Sequence, residues 1–156
     1  DWTKPYQYVG GSMGAGLGYG IGRALGVALA YKPLNRLCIS IQPDGDLLYT
    51  PSGLWTAAHF HIPLLIVMFN NRTYYNSEHH QEIVAKARGR STENRVIGTR
   101  LDKPPVDFAK LAQSFGLYGE GPVENPKDLR LALERAVKYV KETRQAALVD
   151  VVVGAR

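Results

Sequence analysis

Cysteine is almost missing. Cys38 is the one thiol in 156 residues, so no internal disulfide framework staples the fold, and a reducing compartment, the cytoplasm, is expected. Long apolar runs are missing too. The charge-free stretch from Leu47 to Asn71 is broken by Pro51, Gly53, His59, His61, Pro63 and the Asn70–Asn71 pair, and its apolar runs fall short of the ~20 residues that a bilayer helix needs. No membrane association is expected. Charge of one sign is in only mild excess: 19 Lys and Arg against 14 Asp and Glu leave +5. The densest basic stretch, Arg72 to Lys103, mixes seven bases with four acids and lacks the aromatic interleaving of a strand-binding groove, so no nucleic-acid partner is expected. With 45% hydrophobic and 21% charged residues, the composition excludes general disorder and suffices for the core of one domain.

What is present reads as α/β. Met13 to Ala30 has helical character, with Gly14, Gly18, Gly22 and Gly26 every fourth residue on one face. Such a bare stripe suggests close packing, or a cofactor against its first turn. The dinucleotide fingerprint fails here, because Tyr19, Ile21 and Arg23 stand where its third glycine would fall. Leu37 to Gln42 reads as a short strand. Thr50–Pro51 opens a helix to about Phe60, and Pro63 to Asn70 is a continuous apolar run suited to a central strand buried on both faces. Residues from about Asn71 to Lys103 are polar and mixed, with a helix expected around Glu78 to Arg88. Asp107 caps a helix carrying Phe108, Leu111, Ala112 and Phe115, which Gly116 ends. Asn125–Pro126 starts another with Leu129, Leu133, Ala136, Val137 and Val140 on one side, and Leu148 to Val153 is a last strand. Alternating strands and helices predict a parallel sheet.

Asp44 follows directly on one predicted strand and Asn71 on another. Ligands of open parallel sheets bind outside the carboxyl ends of the strands, so neighbouring strands would bring both side chains to one edge. A carboxylate and an amide oxygen are hard donors, suited to Mg²⁺, and a magnesium ion with few protein ligands usually completes its octahedron with phosphate oxygens. Gly45 would let the backbone approach a phosphate. Asp44–Gly45 and Asn70–Asn71 are also ordinary turn pairs, so spacing alone leaves both readings open.

Asp44–Gly45, followed 27 residues after Asp44 by Asn71 in an Asn-Asn pair, resembles the signature of thiamine-diphosphate-dependent enzymes: Gly-Asp-Gly, a spacer in the high twenties, then Asn-Asn. Pro63 to Phe69 is similar to the family's strand before that pair, and Gly11-Ser12-Met13-Gly14 to its pyrimidine-side loop. The nearest group is that of acetolactate synthase, benzoylformate decarboxylase and pyruvate decarboxylase. The resemblance implies a doubly wound, flavodoxin-like diphosphate-binding domain over residues 1–156, incomplete at its N-terminus, with the pyrimidine-binding domain elsewhere in the protein or on a partner subunit. It implies Mg²⁺ held by Asp44, Asn71 and the Thr73 carbonyl, and a diphosphate met by N–H groups around Gly45 and Asp46, with Tyr74 nearby. Met13 would wedge the cofactor into a V, and the Gly11 carbonyl would accept from its amino group.

The implied reaction is cleavage or formation of a C–C bond beside a carbonyl, as in 2-oxo acid decarboxylases or acetolactate-synthase-like carboligases. 2-Hydroxyacyl-CoA lyase chemistry, a non-catalytic relative and another kind of flavodoxin-like phosphate binder are the alternatives. A homodimer or homotetramer is implied, and no turnover by this chain alone. Two departures stand out: Pro43 replaces the first glycine of the signature, and no acid here matches the Glu that activates the cofactor. Catalytic residues are therefore unassigned.

Other residues read more plainly. Cys38 suits a small core hydrophobe, since no base is identifiable beside it. His59 and His61 lack a third metal ligand nearby, and Ser52 lacks a nucleophile-elbow context. Glu78, His79 and His80 lie where relatives place substrate or proton-transfer residues, or else form a solvated helix start. Trp55 suits the core or an interface, and Lys138, Lys141 and Glu142 a solvated helix face.

Overall fold

A computed structural model describes residues 3, 5–10 and 16–154. Ten elements position the site. In chain order they are α1 (Tyr19–Tyr31), β1 (Cys38–Pro43), α2 (Asp44–Tyr49), α3 (Ser52–His59), β2 (Leu64–Asn70), α4 (Tyr75–Ala87), α5 (Phe108–Ser114), β3 (Tyr118–Val123), α6 (Pro126–Thr143) and β4 (Ala147–Val152). The four strands form one sheet in the order β1-β2-β4-β3, parallel throughout. Helices cover both faces, as a doubly wound sheet requires. α1, α3 and α5 bury Ile21, Leu25, Leu54, Ala57, Phe108 and Ala112 against Leu64, Ile66 and Met68. On the other face α6 lays Ala132, Ala136 and Val140, spaced four apart, over Leu65, Ala147 and Val149. Beyond the reach of α6, Ile39, Ile41 and Phe69 are exposed.

Local chemistry explains most boundaries. The Asp107 side chain accepts the Lys110 N–H at 2.9 Å and starts α5. Asn125 accepts the Lys127 N–H at 3.0 Å, and Pro126 occupies the first helical position of α6. Pro43 closes β1, where an edge strand tolerates the missing N–H.

Four expectations need correction. Of the helix expected over Met13 to Ala30, residues 13–15 lie outside the described residues, and α1 begins at Tyr19, with Gly18 at a left-handed φ of 86° as its N-cap. Gly22 and Gly26 are exposed with open space beside them, so they line no close contact. The close contact in the stripe is at Gly18, where a Cβ would meet Tyr49 Cβ at 2.8 Å, and Gly20 is tight as well, against Asp46 and Gln42; Gly14 lies outside the described residues. Asp44–Gly45, which could have been a turn pair, opens the short helix α2, an element that was not expected. Finally, β3 was not expected. It pairs with β4 from Tyr118 to Glu120 and again at Val123, with an irregularity between.

Gly119 shows what makes β3 possible. A Cβ there would run into the carbonyl oxygen of Ala109 in α5, so the α5 backbone lies directly on the strand. Gly119→Ala must push helix and sheet apart, an overpacking that costs about 1–3 kcal/mol. A lower urea midpoint with unchanged slope is the expected result.

Candidate functional site

Two neighbouring strand tips meet. β1 and β2 run in register to Pro43 and Phe69, so Asp44 and Asn71 emerge at the same edge of the sheet. Asp44 is buried, and its carboxylate accepts the Gly45 N–H at 2.8 Å and the Arg72 N–H at 2.7 Å. Arg72 adopts a left-handed φ of 58°, uncommon for a residue with a Cβ, as its N–H meets Asp44. Its guanidinium pairs with Glu124 at 3.1 Å. The Asn71 side-chain oxygen accepts the Thr73 N–H at 3.1 Å. The acid of one tip and the amide of the other thus hold consecutive N–H groups of a single turn. Burial pushes the Asp44 carboxyl above its ordinary range, and the N–H groups of Gly45 and Arg72 pull partly against it.

The third oxygen comes from backbone geometry. Thr73 faces Arg100 in an antiparallel bridge, whose bonds run from the Leu101 N–H to the Arg72 carbonyl and from the Tyr74 N–H to the Thr99 carbonyl, each 2.8 Å long. In such a pair the facing residue turns its own N–H and C=O away from the partner strand. The Thr73 carbonyl therefore leaves on the side of its N–H, toward Asn71. A carboxylate, an amide oxygen and a peptide carbonyl on one turn make a donor set that fits a hard cation such as Mg²⁺.

Tyr74 and Asp46 complete the edge. The Tyr74 ring occupies the space that a Cβ on Gly45 would fill, and its hydroxyl donates to the Gly45 carbonyl at 3.2 Å. Tyr49 meets it edge-on at 6.1 Å between ring centres. Burial, with Tyr49 beside it, raises the Tyr74 phenol above its usual range. The Asp46 carboxylate accepts N–H groups of Gly18 at 2.7 Å and Gly20 at 3.2 Å, and Gln42 Nε2 donates to it as well. Asp46 thus fastens the start of α1, which follows Gly11-Ser12-Met13 in sequence, to the tip of β1. Gly11, Ser12 and Met13 themselves lie outside the described residues.

Of the other candidates, Glu78 touches this edge through the Thr73 hydroxyl at 3.3 Å. Glu78 is buried, with Arg100 at 2.9 Å and Arg95 at 3.7 Å, so it is no solvated helix start. His79 stacks on Tyr75 at 6.0 Å and, like His80, is exposed. Among the described residues no three His, Cys, Asp or Glu side chains gather in a metal-holding group. Trp55 is 51% exposed and stacks on His59 at 4.6 Å, which excludes a core role. Cys38 packs half-buried against the core, and burial raises its thiol pKa. No helix of the described residues is long and apolar enough to cross a membrane.

An open parallel sheet with oxygen donors at its strand tips is the arrangement of an α/β ligand-binding domain, whose ligands lie outside the carboxyl ends of the strands. Residues 1–151 match the thiamine pyrophosphate enzyme family in its C-terminal TPP binding domain, and the chain belongs to that family. The acetolactate synthase large subunit of Buchnera aphidicola subsp. Schlechtendalia chinensis is 31% identical over 104 residues, covering 65% of this chain and 17% of that protein. Among solved structures, the thiamine diphosphate-dependent 4-hydroxybenzoylformate decarboxylase of Rhodococcus jostii RHA1 superposes with a TM-score of 0.73 at 27% identity, over 90% of this chain and 24% of that one. Benzoylformate decarboxylase from Polynucleobacter necessarius shares the fold, with a TM-score of 0.68 at 20% identity over the same shares of the two chains. The chain spans about a quarter or less of the length of these relatives.

Proposed function

We propose that this domain supplies the diphosphate half of a Mg²⁺ and thiamine diphosphate site in an enzyme that cleaves or forms a C–C bond beside a carbonyl. The substrate class is a 2-oxo acid or related carbonyl compound, and the reaction is that of a decarboxylase or an acetolactate-synthase-like carboligase. One observation carries the reading: the Asp44 carboxylate accepts the N–H of Arg72, the residue directly after Asn71, at 2.7 Å. This contact joins the two halves of the signature on one turn.

Asp44, Asn71 and the Thr73 carbonyl would hold the metal. The first turn of α2 has N–H groups with no intrahelical carbonyl to bond; that of Gly45 is taken by the Asp44 carboxylate, and the N–H groups beside it, around Asp46, suit the diphosphate. Tyr74 lies over Gly45 at the rim of that cradle. Met13 and the Gly11 carbonyl are assigned to the pyrimidine side through Gly11-Ser12-Met13. When bound, thiamine diphosphate supplies a carbanion nucleophile and an electron sink, and the protein supplies placement and electrostatics. The group that activates the aminopyrimidine belongs to a pyrimidine-binding domain, of the same protein or of a partner subunit in a homodimer or homotetramer. This chain alone is therefore not expected to turn over. A cytoplasmic setting suits its single thiol.

Titration calorimetry on the complete protein tests the reading. Thiamine diphosphate should bind with Mg²⁺ present and fail to bind after EDTA, and thiamine without its diphosphate should bind far more weakly. Equal binding of the two forms, indifferent to the metal, would overturn it.

A further inference from the structure

We infer that Glu78 is a positioning residue for the metal-binding turn, fixing the direction in which the Thr73 carbonyl points. This inference rests on the Mg²⁺ site proposed above. Its starting point is a cost. A carboxylate that is only 4% exposed is unfavourable in a protein interior unless charge partners and hydrogen bonds surround it.

The partners of Glu78 lie on either side of one bridge. Its Oε1 meets Arg100 Nη2 at 2.9 Å and Arg95 Nε at 3.7 Å. Its Oε2 lies 3.3 Å from the Thr73 hydroxyl, which also reaches the Thr99 carbonyl at 3.2 Å. Thr73 and Arg100 are the two residues that face each other in the bridge. A single buried carboxylate therefore grips both sides of the pairing that puts the Thr73 carbonyl on the side of its N–H, the side of Asn71. Arg95, on the 3-10 turn Glu93–Val96, braces the same carboxylate and also contacts Glu82 at 3.5 Å. These contacts engage both oxygens of Glu78 within the fold, on the turn rather than on a substrate.

The consequence depends on the cation. Mg²⁺ demands near-ideal octahedral geometry at short distances, whereas Ca²⁺ accepts longer and more varied ligand positions. A carbonyl released from its clamp should therefore penalise Mg²⁺ more than Ca²⁺. Removal of an outer partner of a metal ligand typically weakens affinity by about 10–100-fold.

The test uses the complete protein with thiamine diphosphate held constant, and titrates MgCl₂ or CaCl₂ by calorimetry. Glu78→Gln keeps the shape and loses the charge. Thr73→Val cuts the hydroxyl link, keeps the backbone, and serves equally if Glu78→Gln fails to fold. Each is expected to weaken Mg²⁺ by about 10–100-fold and Ca²⁺ by clearly less, shifting the ratio of the two affinities. A purely structural role would lower the unfolding midpoint without moving that ratio. An unchanged ratio in both variants, with Asp44→Ala still abolishing metal-dependent binding, would overturn the positioning role and leave the site intact. Unchanged binding in Asp44→Ala would take both readings down together.

Discussion

Asp44→Ala should abolish the Mg²⁺-dependent binding of thiamine diphosphate by the complete protein. Two losses combine. The substitution removes the one charged donor of the proposed set, and it leaves the Gly45 and Arg72 N–H groups without their acceptor. The turn that carries Asn71 and Thr73 then loses its carboxylate tie to the start of α2. The fall in Mg²⁺ affinity should exceed ~100-fold, the upper end of what removal of an outer-sphere partner does.

The same carboxyl predicts a pH dependence. Burial raises the Asp44 pKa above its ordinary value of 3.8, and a metal ligand must be deprotonated. Mg²⁺ affinity should therefore decline by about tenfold per pH unit below the raised pKa, beginning at a higher pH than for an exposed aspartate. Stability without metal moves in the opposite direction. Between 3.8 and the raised pKa the folded chain binds more protons than the unfolded one, so this group's contribution is fully present at acid pH and lost as pH rises through the raised value. Added Mg²⁺ should restore stability above that window in the wild type and not in Asp44→Ala. Calorimetric titrations and thermal midpoints across a pH series read both effects, and identical curves for the two proteins would refute the assignment.

Much of this arrangement was legible in the residues, and the remainder was hidden for identifiable reasons. The apolar run before Asn70 announced β2, and the caps Asp107 and Asn125 announced α5 and α6, because those signals are local. The 27-residue interval from Asp44 to Asn71 pointed to one sheet edge once both were placed after strands. β3 was hidden because Tyr-Gly-Glu-Gly-Pro-Val has the composition of a turn. It is a strand because β4 pairs with it and because Gly119 admits the α5 backbone. α2 was hidden because a six-residue helix opening on Asp-Gly-Asp shows no apolar period. Glu78 looked like a candidate for proton transfer beside two histidines. Its burial rests on Arg95 and Arg100, 17 and 22 residues onward, brought back by the Thr73–Arg100 bridge and the packing of the Glu93–Val96 turn on α4.

Asp150→Ala should be among the most destabilising single changes in this domain, and it separates the two asparagines of the pair. Asp150 is fully buried in β4. Its carboxylate accepts Asn70 Nδ2 at 2.9 Å and the Phe108 N–H at 3.2 Å, joining the end of β2 to the start of α5. Asn70 is therefore engaged inside the fold, which leaves Asn71 as the member of the pair available to the proposed metal. Removing the carboxylate strands two buried donors, each costing about 1–3 kcal/mol, so a loss of at least about 2 kcal/mol is expected. Asp150→Asn keeps one acceptor and should fall between wild type and Ala.

Burial also raises the Asp150 carboxyl, against the pull of Asn70 and the Phe108 N–H. By the sign worked out for Asp44, the wild type's advantage over Asp150→Asn should narrow as pH rises through the raised value. Urea midpoints of the three proteins, compared at acid and neutral pH, check both statements. A midpoint for Asp150→Ala equal to that of the wild type would show that Asn70 and α5 are held by other contacts, and the division of labour between Asn70 and Asn71 would then be lost.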